Sequence, residues 1–177
     1  APAVRRLVQE RISAGLVATT QDPHLESWLA FFGSCAALCQ ADPARLFLNL
    51  DIGGGTSNLA LGRGDTVLLT DVLQVGARHL RFVPGSYRLI AASPVGQQRL
   101  ASLGIENPSG RELSPTEVAD LCRSFVAELE ERVALHTNQP GWREAVVVFS
   151  GGVGELIYQA SHYQASGRPA SHPVAPT

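Results

Sequence analysis

The sequence predicts an α/β domain in which helices flank a central mixed sheet that includes an antiparallel three-strand meander. The sheet is predicted by two short, nearly continuous apolar runs, at residues 46–52 and 145–149, which are typical of strands buried on both faces. The helices are predicted by apolar residues that recur every three or four positions at 4–16, 25–39 and 118–133. The chain has 177 residues, 45% of them hydrophobic, which is enough for one domain with a core.

The first half of the chain predicts two helices followed by the meander. Both helices lie within residues 1–44, which we interpret as linking helices that precede the sheet. The three strands of the meander are predicted at 46–52, 58–61 and 66–75, with turns at 53–56 and 63–65. Connections of a few residues join antiparallel strands, whereas parallel strands need a long crossover. The order therefore indicates a meander rather than a βαβ unit.

The second half of the chain predicts helices that lead to a last buried strand. A helix begins at Ser114-Pro115-Thr116-Glu117, which is a capping box with proline at the first helical position. The other elements are a short helix at 76–82, a strand at 87–92, a helix at 94–104 and a strand at 145–149 that ends in a glycine turn. Residues 45–158 form the predicted sheet domain, and the Pro-, Ser- and His-rich residues 159–177 are predicted to be a loop.

The composition excludes several chemistries. All 14 basic residues are arginines, so the chain has neither a Schiff-base lysine nor the lysine of a Walker-type phosphate loop. The net charge of −2 gives no field that favours nucleic acid or an anionic membrane, and no apolar stretch is long enough to span a bilayer. The chain has no Met, even at position 1, so we expect it to be a piece of a longer protein.

The cysteines indicate a reducing compartment. Their number, three, argues against a disulfide framework. Cys35 and Cys39 lie four positions apart on one predicted helix face. Without a nearby histidine or second cysteine pair, we interpret them as core residues rather than metal ligands. We therefore expect a cytoplasmic protein.

Two glycine turns carry the main functional signal, because each follows a buried strand. Glycines at strand ends permit positive φ and let backbone N–H groups converge on an anion, for which phosphate is the usual ligand. The first turn, Gly53–Gly55, is followed by the hydroxyls of Thr56 and Ser57. It is preceded by Asp51, a carboxylate suited to hold Mg²⁺ through water. The second turn, at 150–155, lacks the full spacing of a dinucleotide-binding motif. Either turn alone could be a tight hairpin without a ligand. The two turns together are a more specific signal of a binding site than either alone.

The residues of these turns resemble two motifs of the actin, sugar-kinase and heat-shock-chaperone ATPase superfamily. Residues 48–58, LNLDIGGGTSN, resemble its second phosphate motif, and residues 148–155, VFSGGVGE, resemble its adenosine motif. Within that superfamily the chain resembles the EutA family, the reactivating factors of ethanolamine ammonia-lyase. The resemblance covers roughly residues 20–160 and is carried by residues 49–56, 75–80 and 150–158.

The resemblance implies a protein with two RNase-H-like domains and ATP bound between them. This chain would be most of the second, C-terminal domain, without the first domain, its catalytic acid and the helix that closes the second domain. Asp51 would orient the water around Mg²⁺. The implied phosphate-binding residues are Gly53, Gly54, Gly55, Thr56 and Ser57, and the implied adenosine-binding residues are Gly151, Gly152, Gly154 and Glu155.

The implied function is ATP-dependent release of damaged cobalamin from the lyase, with ATP or ADP and Mg²⁺ as cofactors of the longer protein. The cobalamin would belong to the lyase, since nothing in this sequence resembles a corrinoid ligand. The implied partners are the lyase and the missing first domain, and neither nucleic acid nor a membrane is expected. We expect the isolated chain to be inactive as an ATPase. Homo-oligomerisation and association with an ethanolamine microcompartment stay open.

Two other functions fit the same superfamily. One is an actin-like filament or cell-division ATPase, which needs a polymerisation surface that the sequence does not display. The other is a small-molecule kinase of the sugar or acetate type, which needs a substrate-binding acid from the first domain. The sequence of residues 75–80 and 151–158 resembles the reactivating factors more than either of these two classes.

Several other residues have both a functional and a plain structural interpretation. Arg78 and His79 could touch nucleotide or partner, or could be a solvated arginine and an exposed histidine. The aromatic residues of the second helix, Trp28, Phe31 and Phe32, are interpreted as core packing rather than a docking patch. His136 complements the dipole at a helix C-terminus. His162 and His172, ten positions apart, are not expected to bind metal.

Overall fold

A computed structural model describes residues 23–106 and 110–165 of the chain. The helices are α1 (Pro23–Ala41), α2 (Pro94–Ser102), α3 (Pro115–Ala134) and α4 (Gly151–Ala165), with a short 3-10 helix at Trp142–Glu144. The strands are β1 (Phe47–Ile52), β2 (Ser57–Arg63), β3 (Thr66–Leu73), β4 (Leu80–Phe82), β5 (Leu89–Ala92) and β6 (Val146–Ser150). The helix predicted at residues 4–16 lies outside the described residues.

The central sheet has four strands in the order β3-β2-β1-β6. The meander β1-β2-β3 is antiparallel, and β6 lies parallel to β1 with Leu50 opposite Phe149 and Asp51 opposite Ser150. Strands β4 and β5 form a separate antiparallel pair. The predicted α/β class is confirmed, with the meander, the mixed sheet and the flanking helices.

Helix α1 covers one face of the sheet. Its fully buried residues Phe31, Cys35 and Cys39 pack against Phe47 of β1 and Ala60 of β2. Both side chains are part of the buried cluster, so the interpretation of the two cysteines as core residues is confirmed. Burial, with the neighbouring Cys39 thiol, raises the pKa of Cys35 to about 11, which keeps that thiol protonated at neutral pH.

The aromatic residues of α1 divide between core and surface. Phe31 is fully buried, as the core-packing interpretation predicts, whereas Trp28 is 43% exposed and its ring lies 4.4 Å from that of Phe32. The core-packing interpretation is therefore wrong for Trp28, because only one stripe of a surface helix can face the sheet.

The described residues cover the opposite face of the sheet only in part. Side chains of β1 and β2, with that of the residue directly before β1, form its buried layer: Leu46, Leu48, Leu50, Ile52, Leu59 and Leu61. Helix α3 packs against this layer through Phe125, Leu129 and Val133, and α4 through Val153. Between the two helices and the sheet lies a cavity of about 690 Å³ with almost entirely apolar walls, which we call the apolar groove. The predicted buried stripe of α3 lines this groove, and only Leu121 of that helix is fully enclosed.

Three predictions about elements are wrong. Residues 76–82 form a turn and strand β4, because the N–H groups of Ala77 and Arg78 donate to carbonyls of the first glycine turn instead of to a helical ladder. Strand β6 is only half-buried, because within the described chain it lies at a sheet edge with β1 as its one neighbour. Residues 159–165 continue helix α4, since no glycine or proline interrupts them; a helix therefore does follow the second glycine turn.

Candidate functional site

The two glycine turns meet at the carboxyl ends of β1 and β6. Because these strands are parallel neighbours, Asp51 and Ser150 end side by side, and the turns that follow them share one edge of the sheet. Gly151 has a φ of +74°, and a Cβ on it would lie 2.5 Å from Asp51 Oδ1 and 2.7 Å from the Ile52 carbonyl oxygen. Only glycine fits this position, so the close approach of the two turns depends on it.

The first turn presents unpaired backbone donors. The Gly53 N–H donates to the Thr56 carbonyl over 3.0 Å and closes the loop on itself. Within the described chain, the N–H groups of Gly54 and Gly55 have no hydrogen-bond partner, and Gly55 is exposed. Of the predicted phosphate-binding residues, Gly54, Gly55 and Thr56 therefore lie on the open side of the loop. The unpaired N–H groups on this side are suited to bind an anion.

Ser57 lies differently from what the sequence predicts. It is fully buried as the first residue of β2, and its hydroxyl donates to the Val75 carbonyl over 2.8 Å. This hydroxyl ties β2 to the segment after β3 and is turned away from the open side of the loop. The alternation of side chains along a strand explains the difference, because it places Ser57 on the face opposite Asn58.

Asp51 is half-buried, and its carboxylate has no hydrogen-bond or ionic partner among the described residues. On the same face of β1, Asn49 is fully buried with both side-chain polar atoms unpaired, and the Ser150 hydroxyl opposite Asp51 is also buried and unpaired. Buried polar groups of this kind are satisfied by ordered water. A free carboxylate beside such groups fits the hydration shell of Mg²⁺, which the ion sheds reluctantly. The predicted metal role of Asp51 stays a prediction.

The second turn forms the first turn of α4. Gly152 is exposed and has open space where a Cβ would be, whereas Gly154 is buried and packs against the Phe149 backbone, with a Cβ position 2.9 Å from the Phe149 carbonyl carbon. Glu155 is exposed and accepts a hydrogen bond from Gln159. Gly154 thus allows close packing of helix on strand, and Gly151, Gly152 and Glu155 form the accessible side. Their adenosine-binding role stays a prediction.

A third segment, residues 76–78, packs against the first glycine turn. Ala77 N–H donates to Gly53 O and Arg78 N–H to Gly54 O, over 3.0 and 2.7 Å. A Cβ on Gly76 would lie 2.5 Å from Gly54 O, so glycine is required for this contact. The signal in the sequence was Gly76 itself, two residues before Arg78, at a strand end.

His79 anchors this segment to the rest of the domain. It is 5% exposed, its Nδ1 lies 2.8 Å from the Ser93 hydroxyl, and its ring stacks on Phe125 of α3. The interpretation as an exposed histidine is therefore wrong. Ser93 caps α2 by accepting a hydrogen bond from Gly96 N–H, so the glycine turn, α2 and α3 are connected through one buried histidine.

Residues 23–106 and 110–165 contain neither a cluster of metal-ligating side chains nor a membrane-spanning helix. No group of three or more His, Cys, Asp or Glu side chains there could hold a metal ion. No helix in that part of the chain is long and apolar enough to cross a membrane. The side chain of His162 and the whole of His172 lie outside the described part, so their predicted lack of a metal role is untested.

A family model matches most of the chain. The family is described as "Ethanolamine utilisation protein EutA", and its model matches residues 3–168. The chain is 31% identical over 166 residues to the ethanolamine ammonia-lyase reactivase EutA of Salmonella typhimurium, and 30% identical over 167 residues to that of Escherichia coli. Each match covers 87% of this chain and 35% of the relative, so the chain spans about a third of the length of the curated relatives it matches.

Two solved structures also show similarity. One is the PilM-PilN type IV pilus biogenesis complex, with 22% identity, a TM-score of 0.45, and coverage of 94% of this chain and 46% of that chain. The other is MreB 5 of Spiroplasma citri bound to AMPPNP, with 15% identity, a TM-score of 0.46, and coverage of 96% and 58%.

Proposed function

Since the chain belongs to the EutA family, we propose that it forms one wall of the nucleotide site of an ATP-dependent factor that reactivates ethanolamine ammonia-lyase. Two relatives at about 30% identity are named as reactivases of that lyase, which supports the choice of partner. The observation that carries the proposal is the meeting of the two glycine turns, where Gly151 lies against the Asp51 carboxylate.

The ligand proposed for this edge is ATP or ADP with Mg²⁺. The N–H groups of Gly54 and Gly55, with Thr56, would hold the phosphates, and Asp51 would accept hydrogen bonds from water bound to the ion. Gly151, Gly152 and Glu155 would lie against the adenosine side. The bound nucleotide supplies a phosphoanhydride whose hydrolysis can drive a change of state.

In the longer protein, we propose that nucleotide binding biases closure of a first domain over this edge. A closed and an open arrangement would differ in their affinity for the lyase, as differential binding requires. That motion would release damaged cobalamin from the lyase, so that intact cofactor can replace it in the cytoplasm. The cobalamin stays a ligand of the lyase in this scheme.

A reactivation assay with the longer protein tests the proposal. Ethanolamine ammonia-lyase inactivated with cyanocobalamin is mixed with the protein, ATP, Mg²⁺ and fresh adenosylcobalamin, and recovery of lyase activity is followed. We expect recovery that depends on ATP and is abolished by Asp51→Asn but not by Asp65→Asn, an acid in the exposed β2–β3 turn. No recovery, with sugar phosphorylation or filament growth instead, would contradict the assignment.

The chain on its own is proposed to bind nucleotide weakly and to hydrolyse it negligibly. One wall of a cleft lacks the preorganised groups that make such a site tight and fast. Release of phosphate from ATP, measured with the chain alone and with the longer protein at equal concentration, tests this. Turnover by the chain alone at the rate of the longer protein would contradict it.

A further inference from the structure

We propose that Arg78 binds the terminal phosphates of the nucleotide. Its guanidinium supplies the positive charge that a lysine supplies in other phosphate sites, since this chain has no lysine. This inference rests on the proposed function and deepens it by assigning a phosphate-binding side chain outside both glycine motifs. The ligand it takes is a polyphosphate, that of a nucleoside triphosphate.

The backbone fixes Arg78 to the phosphate loop. Its N–H donates to Gly54 O over 2.7 Å, and the preceding Ala77 N–H donates to Gly53 O over 3.0 Å. Gly76 permits this approach, because a Cβ there would collide with Gly54 O at 2.5 Å. Two consecutive hydrogen bonds between main chains hold the arginine at a constant position relative to the free N–H groups of the loop.

The side chain of Arg78 lies across the same loop. A Cβ on Gly54 would meet Arg78 Cδ at 3.0 Å and Cγ at 3.4 Å, with Nε at 3.5 Å. Absence of a side chain at Gly54 therefore makes room for the arginine as well as for a ligand. Arg78 is exposed, and its guanidinium has no carboxylate within ion-pair distance in the described part of the chain.

The surroundings of Arg78 favour an anion. Arg78, Gly54, Gly55 and Thr56 line a cavity of about 510 Å³ whose opposite wall is the first turn of α2, at Ser93, Pro94 and Val95. No acidic residue lines this cavity. The N-terminus of α2 contributes positive potential, and an arginine can bind a phosphate through two parallel hydrogen bonds. Loop N–H groups, guanidinium and helix end thus converge on one volume.

The test uses the longer protein, because the chain alone is proposed to bind nucleotide weakly. It compares Arg78→Gln with Arg81→Gln, because Arg81 is an exposed arginine three residues away that does not line the cavity. Phosphorus NMR titrations follow the binding of tripolyphosphate, ATP and ADP, and proton NMR follows adenosine. We expect Arg78→Gln to weaken ATP and tripolyphosphate binding at least about tenfold and to leave adenosine unchanged. Arg81→Gln should match the unaltered protein for every ligand, and Arg78→Lys should recover part of the loss, since it restores charge without the bidentate geometry.

Each outcome separates this inference from the function on which it rests. Equal ATP and tripolyphosphate affinities for Arg78→Gln and the unaltered protein would overturn the role of Arg78 and leave the nucleotide site standing. If tripolyphosphate binding depends on Arg78 but ATP binds no more tightly than tripolyphosphate, the phosphate site is supported and the nucleotide assignment is contradicted. Absence of tripolyphosphate binding by the unaltered protein would overturn the inference. If Arg78→Gln weakens adenosine binding as much as ATP binding, Arg78 has a structural role and the inference is overturned as well.

Discussion

Gly151 is the residue through which the two halves of the candidate site touch. Its positive φ of +74° and the 2.5 Å gap to Asp51 Oδ1 exclude any side chain, whereas its neighbour Gly152 has neither restriction. Glycine is therefore required at position 151, whereas position 152 could accept a side chain.

We expect Gly151→Ala to destabilise the fold by about 2 kcal/mol or more, because the left-handed conformation and the contact with Asp51 both oppose a methyl group. Gly152→Ala, the matched control, should change stability by less than about 1 kcal/mol in either direction, since alanine is favoured over glycine in a helix. Urea unfolding followed by circular dichroism measures both. Equal stability of the two variants would contradict the requirement for close approach.

Asp71 of β3 is a second residue with a definable energetic role. Its Oδ2 lies 3.3 Å from Arg132 and 3.2 Å from His136 at the end of α3, and its Oδ1 accepts the Val72 N–H over 2.8 Å. Burial raises the pKa of the Asp71 carboxyl, but the hydrogen bonds from Val72 and His136 and the charge of Arg132 outweigh it, and the pKa falls below its ordinary value of 3.8. The carboxylate is thus more favourable in the folded than in the unfolded chain.

A depressed pKa in the folded state contributes stability that is complete above the unfolded pKa and is lost as the pH falls through the folded one. Asp71→Asn should therefore cost about 1–2 kcal/mol near pH 7, and the difference from the unaltered chain should shrink as the pH falls below 4. Urea unfolding across this range measures the difference, with Asp65→Asn as the control. A difference that does not change with pH would contradict the electrostatic origin.

At this scale the sequence indicates where the two glycine turns lie, because a close-packed position such as Gly151 requires a residue type that little else explains. The ligand roles of the glycines and of Asp51 stay predictions. The sequence predicts Ser57 and His79 poorly. The direction of Ser57 depends on strand register, and the burial of His79 depends on Phe125, 46 positions away. Arg78 could be noticed but not assigned, because its position over Gly54 is a tertiary contact.

Among the elements, α1 and α3 carry the cysteines in contrasting surroundings. Cys35 and Cys39 are buried against the sheet, and burial is the main cause that raises the pKa of each thiol. Cys122 of α3 is exposed at the apolar groove. Because the thiolate is the reactive form, burial and a raised pKa disfavour reaction at Cys35 and Cys39, whereas Cys122 is accessible.

We expect one thiol to react quickly with iodoacetamide in the folded chain and all three to react after unfolding. Cys122→Ala should remove the fast reaction, and mass spectrometry of the alkylated chain counts the modified residues. Fast modification of Cys35 or Cys39 under native conditions would contradict the placement of α1 on the sheet.

Elements with a strong local signal were predicted correctly, and the others depended on distant partners. The capping box at Ser114 and Glu117 starts α3 where expected, because both of its hydrogen bonds lie within four residues. Residues 76–82 are short and amphipathic, and only their bonds to Gly53 and Gly54 decide against a helix. Strand β6 is half-exposed because it lies at the edge of the described sheet. An apolar run in the sequence does not show whether a strand is central or at an edge.

At the scale of the whole described chain, the two faces of the sheet are covered unevenly. One face of the sheet is closed by α1, while the other opens into the apolar groove of about 690 Å³ between α3, α4 and β6. Val126 and Val147 at this groove are 49% and 46% exposed. A contiguous apolar surface of this kind binds apolar molecules more readily than scattered surface side chains do.

We expect the chain to bind an environment-sensitive apolar dye, with a rise in fluorescence, in its folded state. Val126→Asp should reduce that signal severalfold with little loss of stability, because a charge would enter the wall of the groove from an exposed position. Leu135→Asp, at a 64% exposed position outside the groove, is the control. Equal dye binding by both variants would contradict the groove as the binding surface.

The parallel contact of β1 with β6 has a consequence for folding. The meander is built from neighbours in sequence, whereas Asp51 and Ser150 are about a hundred residues apart, with α2 and α3 between them in the chain. Closing so long a loop costs conformational entropy before any contact repays it, so long-range pairing is slow. The meander should therefore form early and the paired turns late. Amide hydrogens of β6 should exchange before those of β1 and β2, and any condition that loosens the edge of the sheet should abolish ligand binding while most of the fold persists.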